Sequence, residues 1–168
     1  MKKIMILNGA ARKKGNTAGL INSFKEGALS SGNEIREFYL QTMNIKGCLG
    51  CLTCIENNGK CIQEDDMKEV CEAFNWADVL VFASPVYFGT ITGTLKTAID
   101  RLYSEYNPRK VSKIKKETVL IMTAGAPIYE IPLMWYSIFE RFMGWKNLGS
   151  ILGSEKIEEA KNLGKSIK

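Results

Sequence analysis

The sequence of 168 residues contains no histidine. This absence excludes Ser-His and Cys-His nucleophilic catalysis, histidine proton relays and every zinc site that has a histidine ligand. If the protein is an enzyme, its chemistry is therefore expected to depend on a cofactor, for which the protein supplies binding and orientation.

Long apolar stretches are also lacking. No run approaches the roughly 18 residues that a membrane span requires. The apolar residues 4–7 are too few for the core of a secretory signal, and they lead into Asn8-Gly9 without a small-residue cleavage site. We therefore expect a cytoplasmic location and no membrane partner.

Basic residues are in modest excess: 23 basic residues against 18 acidic ones give a net charge of +5. The excess lies in residues 12–14, in residues 109–116 and at the C-terminus, and aromatic side chains are not interleaved with it. Nucleic acid is therefore not expected as a partner. Anionic small molecules such as phosphates fit better, because a local basic cluster is enough to hold them.

Short apolar segments alternate with segments of helical periodicity along the whole chain. This order predicts a single domain over residues 1–168, built on a doubly wound parallel sheet. Strands are expected at residues 3–7, 34–40 (polar enough for an edge), 77–84, 118–124 and 148–152. Helices are expected from an N-cap at Asn16 to about residue 28, from 65–66 through 74, at 92–106, at 129–143, and at 155–166 with Ser154 as cap.

Three loops follow predicted strands and lie at the edge where such sheets bind ligands, at residues 9–17, 85–91 and 124–128. In the first, Gly9 and Gly15 let the backbone curl ahead of a helix, whose N–H groups and dipole stabilise a phosphate. Arg12 adds a bidentate donor, and Asn16 and Thr17 add short polar ones. The loop matches neither a Gly-x-Gly-x-x-Gly fingerprint nor a Walker loop. A tight turn with solvated charges is the alternative.

The second loop, Ser-Pro-Val-Tyr-Phe-Gly-Thr at residues 84–90, places Tyr87 and Phe88 at the end of the most apolar strand. A flavin ring needs an apolar or aromatic wall and backbone donors at its pyrimidine edge. The same aromatics would equally suit a loop that closes over the core. The pattern alone does not choose between these interpretations.

Residues 41–63 lack periodicity and form a cysteine-rich loop with Cys48, Cys51, Cys54 and Cys61. Such crowding in a cytosolic chain indicates metal or redox chemistry. Three thiolates on a tight loop, with a fourth nearby, suit an iron–sulfur cluster. Zinc, a redox disulfide and a metal-free loop are the alternatives. Cys71 lies on the apolar stripe of its helix and is expected in the core.

Residues 6–17 resemble the FMN-phosphate loop of the NAD(P)H-dependent FMN reductase family. Residues 83–89, followed by 95–101, resemble that family's second signature. The segment 47–67, with its four cysteines and Asp65-Asp66-Met67, resembles the iron–sulfur flavoprotein branch. These motifs occur in the family's order from residue 4 to about residue 101, while the C-terminal third is less diagnostic.

The resemblance implies a flavodoxin-like three-layer fold with a five-stranded sheet in the order 2-1-3-4-5. It also implies FMN as cofactor and a [4Fe–4S] cluster on the four cysteines. The family commonly has Ser and Pro where this chain has Ala10 and Ala11, and the missing hydroxyl removes one phosphate donor. The implied FMN-binding residues are Gly9, Ala10, Ala11, Arg12, Gly15, Asn16, Thr17, Ser84, Pro85, Val86, Tyr87, Phe88, Gly89, Thr123, Ala124 and Gly125.

The function that the resemblance implies is an FMN-dependent oxidoreductase, which takes electrons from NAD(P)H and passes them to an acceptor that the sequence does not identify. An electron carrier without its own nicotinamide site is the alternative, and a nucleotide-phosphate regulator is a third. The basic charge favours the enzyme, because carriers of the flavodoxin type tend to be acidic. Arg12, Arg101 and Arg109 are candidates for distinguishing NADPH from NADH. No catalytic base is assigned.

The segment 129–145 is rich in aromatic residues; much of it is expected in the core at helical spacing, and the surplus is expected at a subunit interface. Aromatic and Met residues are enriched at protein interfaces. We therefore expect a homodimer or homotetramer, as in related flavodoxin-like reductases. The residues concerned are Trp135, Tyr136, Phe139, Phe142 and Trp145.

Overall fold

The computed structural model describes residues 1–105 and 114–168. Their strands form one parallel sheet in the order β2-β1-β3-β4-β5, with helices on both faces. The predicted doubly wound, flavodoxin-like fold is therefore confirmed. The strands are β1 (Lys3–Asn8), β2 (Glu34–Tyr39), β3 (Val79–Pro85), β4 (Glu117–Thr123) and β5 (Lys146–Leu152).

Five helices follow the predicted order, with different ends, and the described residues contain one more, a short helix in the cysteine-rich loop that the sequence did not predict. They are α1 (Asn16–Ser30), α2 (Thr53–Glu56), α3 (Met67–Trp76), α4 (Gly93–Arg101), α5 (Glu130–Met143) and α6 (Ile157–Ser166). The predicted helix 92–106 ends at Arg101 and continues only as a 3-10 turn, Leu102–Ser104. Residues 106–113, with Arg109 and most of the basic segment, lie outside the described residues.

Two predicted helix caps are wrong. Gly15 occupies the N-cap of α1 in an extended conformation, so Asn16 is already the first helical residue. Lys156 precedes α6, and Ser154 lies two residues further from the helix. In both segments a good capping residue was present, but α1 begins one residue earlier than the cap preference suggested and α6 begins two residues later.

The central strands separate two apolar layers, because successive side chains point to opposite faces of a sheet. Met5 and Leu7 face a layer built with α3, α4 and α5. Ile4 and Ile6 face a second layer, which contains buried residues of α1 and α6. Strands β1, β3 and β4 are buried on both faces, which explains their nearly continuous apolar sequences. Among the described residues, no helix is long and apolar enough to cross a membrane.

Helices α1 and α6 touch backbone to backbone through two glycines. A Cβ atom on Gly27 would lie 1.9 Å from the carbonyl oxygen of Lys161. A Cβ atom on Gly164 would lie 2.1 Å from the carbonyl oxygen of Phe24. Any larger residue at either position would push the helices apart and open the second layer.

The variant Gly27→Ala is therefore expected to lower the free energy of unfolding by about 3 kcal/mol, as in overpacked cores. The matched control is Gly19→Ala on the same helix, where the nearest atom to an added Cβ is 3.7 Å away. Alanine there should be neutral or stabilising by about 0.5–1 kcal/mol. Urea unfolding of both variants measures the difference. Equal midpoints would show that α1 and α6 are further apart than described.

Candidate functional site

A hollow of about 190 Å³ opens at the carboxyl ends of β1, β3 and β4. It brings together the three predicted loops, and twelve of the sixteen predicted FMN residues line it. Of the other four, Gly9 and Ser84 are buried residues next to it in the chain, while Phe88 and Gly89 lie in the adjoining turn. The lining residues are Ala10, Ala11, Arg12, Gly15, Asn16, Thr17, Pro85, Val86, Tyr87, Thr123, Ala124 and Gly125.

The first loop is shaped by Asn8, a residue that the sequence analysis did not select. The Asn8 side chain accepts a hydrogen bond from the N–H of Ala10 at 3.0 Å and donates one to Glu37 at 2.8 Å. Glu37 also pairs with Lys25 at 2.6 Å. The amide of Ala10 is thus used by the protein. A buried Asn directly after an apolar strand was the available signal.

The start of α1 is suited to an anion. No side chain caps this helix, and its first turn contains no acidic residue. The first-turn N–H groups of any α-helix lack intrahelical acceptors, and the dipole favours negative charge there. Arg12 lies in the same lining, and the hydroxyl groups of Thr17 and Thr123 are 2.7 Å apart. This end of the hollow therefore fits a phosphate group.

Thr92 joins the first two loops. Its hydroxyl donates to the carbonyl oxygen of Gly9 at 2.9 Å, and its N–H donates to the Ser84 hydroxyl at 2.9 Å. The same side chain caps α4 by accepting from the N–H of Leu95. A Cβ on Gly9 would lie 2.7 Å from the Thr92 hydroxyl, so the close approach requires glycine. Sequence reasoning placed Thr92 only at the start of a helix.

The second loop forms a tight turn. Tyr87 and Thr90 exchange backbone hydrogen bonds at 2.9 and 3.1 Å, and Val86 donates to the Thr123 carbonyl oxygen at 2.7 Å. Phe88 and Gly89 at the tip have φ of 48° and 80°, which suits glycine and strains phenylalanine. The Phe88 side chain is fully exposed. The turn therefore presents two aromatic rings beside the hollow. The backbone N–H groups of Val86, Tyr87 and Thr90 are already hydrogen-bonded within the protein.

A second hollow, of about 580 Å³, is lined by all four loop cysteines. Exposed Leu49, Leu52 and Ile62 surround it. Within residues 1–105 and 114–168, no three Cys, Asp or Glu side chains are arranged to hold a metal ion. The cysteine sulfurs are thus gathered around one space without being set in coordination geometry. As a donor set, four cysteines around one hollow fit an iron–sulfur cluster.

Arg101 and Asp65 form a buried ion pair beside this hollow. Two guanidinium nitrogens lie 2.7 and 3.1 Å from the carboxylate oxygens of Asp65, and both side chains are almost fully shielded from solvent. Burial alone would raise the pKa of Asp65. Hydrogen bonds from Arg101 and from the N–H groups of Lys46 and Met67 outweigh burial and hold that pKa below its usual value. Arg101 is therefore not available to bind a nicotinamide cofactor, whereas exposed Arg12 is.

The cysteines differ in acidity. Hydrogen bonds from the side chain and backbone of Thr53 lower the pKa of exposed Cys51. Burial, and then the nearby Cys61, Cys48 and Cys51 thiols, raise the pKa of Cys54. Burial also raises the pKa of Cys71 to about 12. Cys71 is half-buried and packs against the first apolar layer, so it lies at the edge of the core in which it was expected.

The aromatic residues of α5 mostly face inward. Tyr136 is buried, and the stacked rings of Trp135 and Phe139, 5.6 Å apart, pack against the core. Trp145, beyond the helix end, is buried as well. Much of the aromatic segment is thus core, as expected, and of its five named aromatics only Phe142 is exposed. The exposed apolar stripe of this helix consists instead of Ile131, Met134, Ile138 and Phe142.

Comparison with known proteins gives a match to the model of a protein family described as NADPH-dependent FMN reductase, over residues 2–131. A similar curated protein is an iron–sulfur flavoprotein of Archaeoglobus fulgidus. It is 34% identical over 125 residues, which are 74% of this chain and 56% of that protein. The chain spans about half the length of several iron–sulfur flavoproteins it matches.

Two further similarities cover nearly the whole chain. A putative NAD(P)H-dependent FMN-containing oxidoreductase of Bacillus subtilis is 29% identical over 160 residues, covering 90% of this chain and 84% of that protein. The solved structure of an NAD(P)H:quinone oxidoreductase from Methanothermobacter marburgensis superposes with a TM-score of 0.75 at 18% identity. It covers 99% of each chain and supports the fold.

In the metal-free protein, iodoacetamide is expected to modify Cys51 at lower pH than Cys54 and to leave Cys71 unmodified. The thiolate is the reactive form, and Thr53 favours it at Cys51 while burial disfavours it at the other two. Peptide mass spectrometry over about pH 6–9 follows each cysteine, since free thiols titrate near the upper part of that range. Urea-unfolded protein is the control and should label evenly. Faster labelling of Cys54 than of Cys51 would contradict this assignment.

Proposed function

The chain belongs to the NADPH-dependent FMN reductase family, and we propose that it binds FMN in the hollow at the carboxyl ends of β1, β3 and β4. NAD(P)H would reduce the bound flavin, and electrons would then pass to another acceptor. The observation that carries the proposal is the meeting of an uncapped helix N-terminus, an aromatic turn and the end of β4 around one hollow. Ligands of doubly wound sheets bind at this edge.

In this proposal the first loop and α1 hold the phosphate of FMN. Arg12 supplies the positive charge, and the N–H groups at the start of α1 supply donors along the helix dipole. Thr17, paired with Thr123, links this loop to the end of β4. Ala10 offers no hydroxyl, so we expect a weaker phosphate site than a serine would give there.

The flavin ring would lie against residues 85–89 and 123–125. Bound FMN would supply the group that accepts a hydride and releases electrons, while the protein orients it and shapes its surroundings. Pro85, Val86 and the Tyr87 ring would form an apolar wall, and Thr92 would keep this wall in register with the phosphate loop. No carboxylate occurs among the described residues that line the hollow, so they carry no negative charge to repel a phosphorylated donor.

We further propose that Cys48, Cys51, Cys54 and Cys61 hold a [4Fe–4S] cluster, which would relay electrons from the flavin. Four thiolates around one hollow are the ligands that such a cluster requires. Helix α4 connects the two sites, since Thr92 at its start contacts the flavin loops and Arg101 at its end contacts Cys61. Its nine residues span about 13 Å at 1.5 Å per residue.

A single domain over residues 1–168 that assembles as a homodimer or homotetramer is the form we propose for this activity. Support for assembly comes from the stripe on α5, where Ile131, Met134 and Ile138 are each half exposed or more. Contiguous exposed apolar residues are typical of interfaces. A further exposed aromatic ring, that of Phe88, lies in the turn beside the hollow proposed for FMN.

The variant Arg12→Gln is expected to weaken FMN binding about tenfold, the lower end for a charge-assisted hydrogen bond, because Arg12 is exposed to solvent. Lys14→Gln is the matched control: it removes the same charge from the same loop but does not line the hollow. Ala10→Ser should tighten binding by roughly 2- to 10-fold through an added phosphate donor. Quenching of flavin fluorescence measures all three. Equal losses in the two charge variants would point to general electrostatics.

The central test is anaerobic reduction of protein that has been loaded with FMN and reconstituted with iron and sulfide. NADH or NADPH should bleach the flavin absorption without another protein, and iron should reach about four per chain. Replacing Cys61 with serine should lower the iron content and leave FMN binding unchanged. Failure to take up FMN would refute the central proposal. If dithionite but neither NADH nor NADPH reduces the flavin, the protein is an electron carrier. If the protein binds FMN that NAD(P)H reduces but takes up no iron, it is a simple flavin reductase.

A further inference from the structure

Arg101 contacts both ends of the cysteine-rich loop. It donates to the carbonyl oxygen of Lys46 at 2.8 Å, just before the first loop cysteine. It also binds both carboxylate oxygens of Asp65, just after Cys61, and approaches the Cys61 sulfur at 3.5 Å. The residue is only 2% exposed. One buried guanidinium therefore holds the two ends of the loop and touches one of the four proposed ligands.

The same guanidinium has a donor to spare. Its Nε is buried and has no hydrogen-bond partner among the residues that the structure describes. Buried donors of a charged group are costly to leave unsatisfied. Arg101 also lines the hollow of the four cysteines. A sulfur-rich, negatively charged group in that hollow has the chemistry to satisfy such a donor.

Asp65 limits the electrostatic effect of Arg101 to the groups that the guanidinium contacts directly. The carboxylate balances the guanidinium at long range, so little net charge is felt beyond the pair. Asp65 in turn accepts hydrogen bonds from the N–H groups of Lys46 and Met67, which ties it to both the loop and α3. The guanidinium is thus held by Asp65 and by the Lys46 carbonyl oxygen, and the same nitrogen that binds one oxygen of Asp65 also reaches the Cys61 sulfur.

We propose that Arg101 is a positioning residue that presents Cys61 to the [4Fe–4S] cluster and raises the reduction potential of that cluster through its contact with the Cys61 sulfur. The inference rests on the cluster proposed above. Hydrogen bonds to the sulfurs are one of the levers that set cluster potentials. One-electron reduction adds negative charge to the cluster, and a cationic donor beside a ligating sulfur stabilises the more negative state.

The test compares reconstituted, FMN-loaded Arg101→Lys with the wild type. Lysine keeps the charge but lacks the planar fork that binds Asp65 and Cys61 together. EPR-monitored redox titration should show an equilibrium constant for cluster reduction about tenfold lower, which is about 59 mV for one electron. Iron release to a chelator should be at least several-fold faster. Flavin affinity should not change, which separates this effect from loss of the fold.

Lys96→Gln is the matched control. It removes a basic group from the same helix, where Lys96 pairs with Asp100 on an exposed surface. Both the cluster potential and the iron release rate should stay at wild-type values. An equal shift in the two variants would overturn the inference, because the potential would then not depend on the contact between Arg101 and the Cys61 sulfur.

Loss of FMN binding would reveal that Arg101→Lys does not fold, and a second variant is then used in its place. In the double variant Arg101→Met with Asp65→Asn, no unpaired buried charge remains, and the amide oxygen can still accept from the loop backbone. The same fall in potential is expected there. If a folded variant keeps the wild-type potential and iron release rate, the role of Arg101 is overturned, while the proposed cluster and FMN site are not affected. Wild-type protein that binds FMN but takes up no iron would instead overturn the proposed cluster, and this inference with it.

Discussion

Helix α4 is the element on which both candidate sites depend, because each of its ends is bonded to a different one. At its start, Thr92 ties the backbone of Gly9 to the Ser84 hydroxyl. At its end, Arg101 is buried against Asp65. Loss of one partner of such a buried pair typically costs about 3–5 kcal/mol, well above the roughly 1 kcal/mol of an ordinary hydrogen bond. The Arg101 end is therefore the stronger of the two attachments, and it holds the less regular loop.

The two sites differ in how much of them is built by the sheet. The hollow proposed for FMN lies at the ends of three buried strands, and its loops are joined to one another by hydrogen bonds between residues far apart in sequence. The cysteine loop contains the short helix α2, and it has exposed Cys48 and Cys51 and a left-handed non-glycine residue at Leu52. Metal binding commonly completes the folding of such segments. Under the proposed function, FMN would enter a preformed site, whereas a cluster would organise its own.

Sequence reasoning predicted the elements well and their connections poorly. Apolar runs identify buried strands because both faces of β1, β3 and β4 are covered, and this made the parallel sheet and the position of the three loops at its edge predictable. The strand order came from the family resemblance instead. Asn16 and Ser154 failed as caps because cap preferences are local, while the point of helix entry depends on how the loop packs. The roles of Asn8, Thr92 and Arg101 depend on partners 29–83 residues away, which no local pattern reveals.

The absence of histidine is consistent with the chemistry proposed for the hollow at the ends of β1, β3 and β4. Under the proposed function, a hydride would pass from NAD(P)H to bound FMN, and such a step would need a set distance and an accessible ring face more than a protein base. The lining fits that requirement: backbone amides and Arg12 at one end, and the apolar wall of Pro85, Val86 and Tyr87 at the other. Phe88 keeps a strained backbone conformation at an exposed tip. Such strain costs about 1–3 kcal/mol and persists where the surroundings require it, which in this chain is beside the proposed ring.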